Sequence, residues 1–229
     1  SDKSYLLPLK MSETSQEGFD LDENVCFLKV ENPKYGTLDC DRSKWEVVFC
    51  NSDEKNAVSE PNGDKGGVGC LFDDDINSYW HANWSGGTNN DDQFPQLFQG
   101  GREMPITIVV DMKESLIVHS IGWTQRQNSD YQDTKKVEYY VSDDEQFKLG
   151  GKEDYSPVAL NNWTFVMERS YQKGYNATQW QTQSEEVLQK KVKGHLLKVK
   201  IVEGYRDRLA SGAELYVKQL LAIDGEPIK

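Results

Sequence analysis

Short runs of apolar residues recur along the chain, separated by longer stretches rich in Gly, Asn and Asp. In residues 137–142 and 195–202, apolar and polar positions alternate, as in a strand that buries one face and exposes the other. Short strands joined by turn-rich loops at this spacing are typical of a β-sandwich. The pattern predicts strands at 45–50, 106–111, 116–123, 137–142, 163–167, 195–202 and 213–223.

Residues 106–110 differ from the other runs because they are apolar on both faces, which predicts a central strand. Helical periodicity is weak, and its best stretch, 184–193, is too short and too polar to organise a fold. Residues 51–69 and 85–104 read as long loops rich in Gly, Asn and Asp. Loops of that length in a compact domain tend to be functional.

The first 44 residues contain two further strand-like runs, 5–9 and 25–30, joined by an acidic loop. Two strands rarely form a stable unit alone. They are therefore expected either to dock on the main sandwich or to belong to an upstream domain. We divide the chain into an N-terminal β segment, 1–44, and a β domain, 45–229.

The charge balance argues against nucleic acid as a partner. The 229 residues carry 38 acidic and 26 basic side chains, a net charge of -12, whereas phosphate-backbone binding needs a basic surface. Residues 45–100 alone hold 10 acidic and 2 basic side chains, so the acidity is concentrated where a cation could bind. No run approaches the roughly 20 apolar residues of a membrane span.

The four cysteines, Cys26, Cys40, Cys50 and Cys70, contain no Cys-x-x-Cys pair. This spacing argues against a zinc site and is too sparse for a disulfide framework. Free, partly buried thiols and a single disulfide both remain open.

The densest group of polar side chains lies between Cys70 and Trp84. Asp73, Asp75 and Asn77 fit the opening of an EF-hand loop, but Ser78 replaces the turn glycine and Trp84 stands where the bidentate Glu is needed. Two interpretations follow: a loop-built site for a hard cation that takes further oxygens from elsewhere, or a solvated acidic turn.

Two tryptophans bracket His81 in the same segment. We expect Trp80 to lie in the core and Trp84 at the surface, where an exposed tryptophan is suited to stack on a sugar ring. His119 and His195 fall inside strand-like runs, as buried structural histidines do. No motif pairs a nucleophile with a base, and no second feature supports a glycosidase carboxylate pair, so we expect no catalysis.

Five ordered segments resemble the discoidin, or coagulation factor 5/8 type C, domains, and most closely their carbohydrate-binding branch, family 32. The first is Cys70-Leu-Phe-Asp-Asp-Asp-Ile-Asn-Ser-Tyr-Trp-His81, similar to the family's Leu-Asp-Gly-Asp-x-Asn-Thr-Tyr-Trp-His motif. The chain departs from that motif where Asp74 replaces Gly and Ser78 replaces Thr. The resemblance runs over about residues 45–224, and its other segments are 105–111, 123–127, 139–143 and 213–216.

The resemblance implies an all-β, galactose-binding-domain-like jelly-roll β-sandwich of eight strands, with the N-terminal pair of strands as an addition. It implies a non-catalytic carbohydrate-binding module whose glycan, of galactose type, binds on loops. His81 and Arg126 are expected to hydrogen-bond hydroxyls, and Trp84 and Tyr205 to stack. The implied ligand-binding residues are His81, Trp84, Arg126, Asn128, Asp130 and Tyr205.

The resemblance also implies a structural Ca²⁺ under the first loop. All its ligands would be oxygens, as a hard cation prefers. They are the side chains of Asp73 and Glu214, the main-chain carbonyls of Cys70 and Asp75, and the hydroxyl or carbonyl of Ser78.

The N-terminal strands are similar to the end of the immunoglobulin-like modules that precede such domains in surface lipoproteins of glycan-degrading bacteria. This similarity implies a location at the extracellular face or in the periplasm of a Gram-negative bacterium, with contact to the membrane only through a lipid anchor outside this chain. Separately, we expect a monomer. The alternative function is a protein-binding adhesion module that uses the same loops.

Overall fold

The structure, a computed structural model, describes residues 4–10, 25–31, 33–53, 67–84, 103–144, 162–173 and 191–228. Most of 184–193, the stretch with the best helical periodicity, and most of the predicted loops at 51–69 and 85–104, lie outside these residues. None of the described residues forms a helix with the length and hydropathy that a bilayer crossing requires.

Twelve strands account for most of the described residues. The larger ones match the predicted runs to within a few positions, because those runs alternate or are buried on both faces. The strands are β1 (Ser4–Lys10), β2 (Val25–Glu31), β3 (Tyr35–Asp39), β4 (Glu46–Cys50), β5 (Trp80–His81), β6 (Ile106–Thr124), β7 (Thr134–Ser142), β8 (Thr164–Ser170), β9 (Val192–Gly204), β10 (Ser211–Gly212), β11 (Glu214–Ile223) and β12 (Glu226–Pro227).

The chain divides into two compact units. The larger, Thr37–Leu220, contains a curled antiparallel sheet in the order β11-β6-β9-β7-β8, with β4 paired to β6 and a separate two-stranded sheet of β5 and β10. This arrangement is the predicted β-sandwich. The smaller unit combines Ser1–Gly36 with Leu221–Lys229, and in it β1 pairs antiparallel with β2, and the end of β11 with β12.

Strand β6 merges two predicted strands, 106–111 and 116–123, into one of 19 residues. Its first half pairs with β4, its second half pairs with β11, and β9 pairs with residues of both halves. The exposed polar residues between the halves form an irregularity in which Lys113 has a positive φ of 66° and donates its N–H to Asp111 Oδ1 at 2.8 Å. The first half is central and fully paired, as its apolar pattern predicted.

The core of the larger unit lies beneath the inward faces of these strands. Val137, Tyr139 and Val141 of β7 are fully buried, as their alternation predicted. Trp80 is also fully buried and meets Trp123 edge to face, with ring centroids 6.4 Å apart. Trp80 is therefore a core residue, which confirms the prediction.

Cys40, Cys50 and Cys70 are free thiols. Cys50 is completely buried beside the core, and burial raises the pKa of its thiol well above the ordinary value. These three cysteines therefore follow the free-thiol alternative.

Candidate ligand-binding site

The short sheet of β5 and β10 brings the middle of the chain to its last quarter. Ser211 pairs with His81, and Gly212 pairs with Trp80. A Cβ on Gly212 would lie 2.2 Å from the ring of Trp123, so only glycine fits between the two strands and that ring. The pairing places His81 next to the loop that joins β9 to β10.

Asp133 is the centre of a polar network behind this sheet. Its buried carboxylate accepts two hydrogen bonds from Arg206, Nε to Oδ1 and Nη2 to Oδ2, both at 2.6 Å. His81 Nε2 lies 3.7 Å from Oδ2. The main chain of Asp133 accepts a hydrogen bond from Tyr205 N–H at 2.7 Å and donates one to Ser211 Oγ at 3.2 Å. The buried Asp133 thus contacts the side chains of Arg206, His81 and Ser211 and the main chain of Tyr205.

Burial alone would raise the pKa of Asp133, but the hydrogen bonds from Arg206, together with the nearby His81, outweigh it and leave that pKa lowered. Asp133 therefore stays ionised at neutral pH. His81 is nearly buried, and its Nδ1–H donates to the carbonyl of Ala82 at 2.5 Å. Its imidazole is thus fixed through Nδ1, while Nε2 faces the Asp133 carboxylate at 3.7 Å, beyond hydrogen-bond distance.

Arg126 lies in a stack of aromatic rings. Its guanidinium carbon is 3.5 Å from the ring centroid of Tyr79 and 4.8 Å from that of Tyr131. The guanidinium of Arg206 also lies 4.8 Å from the Tyr131 centroid. Such cation–π contacts fix a guanidinium, and Arg126 also makes a side-chain hydrogen bond with Tyr79. Tyr131, 40% exposed, carries this stack to the surface.

The two residues predicted to stack on sugar are both exposed. Trp84 is 59% exposed and Tyr205 is 37% exposed. The hydroxyl of Tyr205 donates to the carbonyl of Tyr171 at 2.8 Å and accepts the N–H of Lys173 at 3.3 Å, so its ring is fixed at the far end. Lys135 Nζ lies over one face of this ring, 5.8 Å from its centroid, so the opposite face is the one a sugar would contact.

Asn128 and Asp130 shape the turn that carries Tyr131. The side-chain oxygen of Asn128 accepts the N–H of Asp130 at 3.0 Å, and its carbonyl accepts the N–H of Tyr131 at 3.0 Å. Both Asn128 and Asp130 are exposed. The structure therefore brings His81, Arg126 and Tyr205 into one network and sets Asn128 and Asp130 on the adjoining turn.

The predicted calcium ligands meet in part. The hydroxyl of Ser78 donates to Asp73 Oδ2 at 2.7 Å, while Asp73 Oδ1 accepts the N–H of Asp75 at 2.9 Å. The carbonyl of Asp75 accepts the N–H of Ser78 at 3.0 Å, which closes the turn. Cys70 lies just before it, in the 3-10 turn Val68–Phe72. Asp74, which stands where the family has Gly, adopts a positive φ of 64°.

Glu214 at the start of β11 faces this loop from another part of the chain. Arg42 binds Glu214 Oε2 and Asp74 Oδ1, and its Nη1 donates to the carbonyl of Leu215 at 3.0 Å. Burial, with a smaller effect from the charges of Asp73 and Asp74, raises the pKa of Glu214 to about 7 against the opposing effect of Arg42. The cluster is thus rich in negative charge.

The donor set fits a hard cation. Glu214 Oε1 is buried and has no hydrogen-bond partner in the part of the chain that the structure describes. A buried carboxylate oxygen without a partner is costly, and a cation satisfies it. The nearby carboxylate of Asp73 and hydroxyl of Ser78 are oxygens of the kind that Ca²⁺ prefers. Within the described ranges, however, no three His, Cys, Asp or Glu side chains form a metal cluster, so main-chain oxygens would have to complete the set.

Sequence reasoning missed four residues of these networks: Arg42, Tyr131, Asp133 and Arg206. Each is a single charged or aromatic residue without a motif around it. The one available signal was indirect, because a net charge of -8 in residues 45–100 calls for compensating cations from other segments.

The strands, their order and the core define a discoidin-type β-sandwich. No protein-family profile matches the sequence, and no curated protein matches it significantly in sequence. Solved structures do match in fold. The C-terminal domain of a chitobiase from Bacteroides fragilis superposes with a TM-score of 0.56 and 18% identity, over 81% of this chain and 100% of that one.

Two further structures give the same result. The family 32 carbohydrate-binding module of NanJ from Clostridium perfringens, solved with galactose, has a TM-score of 0.54 and 18% identity, over 80% of this chain and 100% of that one. A SusE-like protein has a TM-score of 0.55 and 15% identity, and the match covers 100% of this chain and 78% of that one. The fold is therefore that of discoidin and family 32 carbohydrate-binding domains.

Proposed function

We propose that this chain is a non-catalytic carbohydrate-binding module with its glycan site on the loops around His81, Arg126 and Tyr205. The observation that carries the proposal is the combination of exposed aromatic rings with polar side chains fixed by a buried carboxylate. Sugars present apolar C–H faces and directional hydroxyl groups, and this combination matches both. The galactose complex of the NanJ module, which shares the fold, supports a galactose-type ligand.

Trp84 and Tyr205 supply the stacking surfaces, and Arg126 donates hydrogen bonds to ring hydroxyls. The Nδ1–H of His81 is used by the carbonyl of Ala82, so His81 accepts a hydrogen bond from a ring hydroxyl at Nε2. Asn128 and Asp130 lie on the adjoining turn, where they can contact a second sugar unit. Because these groups are held before ligand arrives, little conformational entropy is lost on binding.

The site is suited to binding rather than hydrolysis. Its buried carboxylate, Asp133, is engaged by Arg206 and by His81, so it is not free to act as an acid or a nucleophile. We therefore propose that the module concentrates glycan for other proteins, at the extracellular face or in the periplasm of a Gram-negative bacterium.

We also propose a structural Ca²⁺ held by Asp73, Ser78, Glu214 Oε1 and the carbonyls of Cys70 and Asp75. The ion would neutralise the loop and join it to β11. Its contribution is to stability, since the sugar is held by other residues.

A glycan-array screen with Ca²⁺ present tests the function, followed by calorimetry with the glycans that bind. We expect binding to galactose-containing glycans and no turnover of them. Binding to an isolated protein ligand without any glycan binding would favour the adhesion module instead. Turnover that is lost on mutation of two neighbouring acidic residues would contradict the absence of catalysis.

A further inference from the structure

Arg126 differs from Arg42, Arg206 and Arg208 in having no carboxylate partner among the described residues. Arg42 is paired with Asp74 and Glu214, Arg206 with Asp133, and Arg208 with Glu103 and Asp207. Arg126 forms no ion pair with any carboxylate in the described ranges. In a chain with 12 excess negative charges, a half-buried guanidinium without a carboxylate is unexpected.

The neighbouring acidic groups do not compensate it. Asp133 acts on Arg126 at a distance, but both of its oxygens are bound by Arg206. Asp130 is exposed on the adjoining turn and makes no ion pair with Arg126 within the described residues. Arg126 and Arg206, which both contact Tyr131, therefore have only the Asp133 carboxylate close to them. Because Arg206 binds that carboxylate, the uncompensated positive charge is at Arg126.

The packing keeps this charge in place and ready for a ligand. Tyr79 and Tyr131 contact the guanidinium and hold it at 3.5 and 4.8 Å from their ring centroids. Burial lowers the pKa of Arg126, which reflects the cost of keeping a cation there, yet an arginine remains charged at neutral pH.

A carboxylate would offset that cost better than a hydroxyl. The planar fork of N–H donors matches a carboxylate with two parallel hydrogen bonds, and hydrogen bonds between ions are roughly twice as strong as neutral ones. A neutral sugar can accept the hydrogen bonds but cannot neutralise the charge.

Building on the glycan-binding function proposed above, we propose that the site selects an acidic sugar, whose carboxylate binds the Arg126 guanidinium. The exposed aromatic residues then contact the sugar ring, and His81 and Arg206 remain positioned by Asp133. The ligand class is thus a uronic acid or another carboxylate-bearing sugar within a glycan.

The test compares three matched probes by NMR titration: methyl α-galactopyranoside, its uronic acid, which replaces the C6 alcohol by a carboxylate, and its 6-sulfate. We expect the wild-type protein to bind the uronic acid at least about tenfold more tightly than the neutral sugar. Raising the salt concentration should weaken the uronic acid complex and leave the neutral one almost unchanged.

Arg126→Gln should reduce the affinity for the uronic acid to that for the neutral sugar. Arg126→Lys, which keeps the charge and loses the fork, should give an intermediate affinity. Arg208→Gln removes an exposed arginine that already has acidic partners and should change neither affinity. Unfolding curves confirm that each variant is folded, and the salt dependence of the wild-type protein serves as a test that needs no variant.

Equal affinity for uronic acid and neutral sugar, with Arg126→Gln weakening both alike, would overturn the acidic ligand while leaving the glycan function intact. Preference for the sulfate over the uronic acid would overturn the carboxylate assignment. Failure of the wild-type protein to bind any glycan on the array would contradict the proposed function itself.

Discussion

Trp84 has the largest exposed fraction among the large apolar side chains that the structure describes, 59%. Trp84→Ala should abolish detectable glycan binding and change the free energy of unfolding by less than about 0.5 kcal/mol, as surface substitutions usually do. Titration with a glycan from the array, together with urea unfolding, measures both effects.

Trp80→Ala provides the contrast for that experiment. Trp80 is fully buried, so its truncation should cost about 3–5 kcal/mol. If Trp84→Ala were destabilised to a similar extent and still bound glycan, Trp84 would be a packing residue and the site would lie elsewhere.

Asp133→Asn should lower the free energy of unfolding at pH 7 by about 2 kcal/mol, because it weakens charge-assisted hydrogen bonds. The pKa of Asp133 is lowered in the folded protein. Its stabilisation is therefore present above the unfolded pKa, near 4, and is lost as the pH falls through the lower folded value. Urea unfolding from pH 7 down to pH 2 should show the two proteins converging at acid pH.

Protonation of the other carboxylates lowers the free energy of unfolding equally in the wild-type protein and in Asp133→Asn, so it cancels in that comparison. A difference in stability that stays constant down to pH 2 would mean that the ionised carboxylate is not its source.

Single residues also mark the limit of what the sequence predicts. His81 and Arg126 follow from recognisable segments, Tyr205 follows from its place in the loop before the last strand, and the structure joins all three in one network. Asp133 and Arg206 lie far apart in sequence and acquire their role only through contact, which no local pattern encodes.

At the scale of strands, the close approach of β10 to the core makes Gly212 sensitive. Gly212→Ala would place a Cβ 2.2 Å from the Trp123 ring and should destabilise the domain by about 1–3 kcal/mol. Gly69→Ala is the matched control, since a Cβ there meets nothing within 4 Å. Thermal unfolding of the two variants measures the difference.

Because β10 pairs with β5, Gly212→Ala should also weaken glycan binding through His81. Equal stability of the two alanine variants would show that β10 can move away from the Trp123 ring at little cost.

Strand patterns were predictable wherever burial alternates or is complete, as in β7 and in the first half of β6. The continuity of β6 was not predictable, because its polar middle reads as a loop in sequence. Pairing with β9 continues on both sides of that irregularity, and this pairing depends on residues distant in the chain.

At the scale of the whole molecule, the proposed Ca²⁺ would join the loop after Cys70 to β11. An ion that binds only the folded state stabilises it by about 2.7 kcal/mol at a hundredfold excess over Kd. Chelation should therefore lower the Tm by about 5–10 °C. Asp73→Ala should remove this dependence on calcium.

Asp75→Ala is the matched control, since Asp75 would contribute only its main-chain carbonyl and its exposed side chain bonds to Asn77. A melting curve unchanged by chelator, with no bound metal by elemental analysis, would show that the loop after Cys70 is a solvated acidic turn. Arg42 alone would then offset the charge of Glu214.

The long strand β6 has a consequence for the rate of folding. Ile106 pairs with Ile201, and Thr124 pairs with Glu214, so β6 obtains most of its partners from the end of the chain. Loop closure over such separations is entropically costly, which gives a high contact order and folding in about milliseconds to seconds. During synthesis, the apolar first half of β6 emerges long before β9 and β11 can cover it.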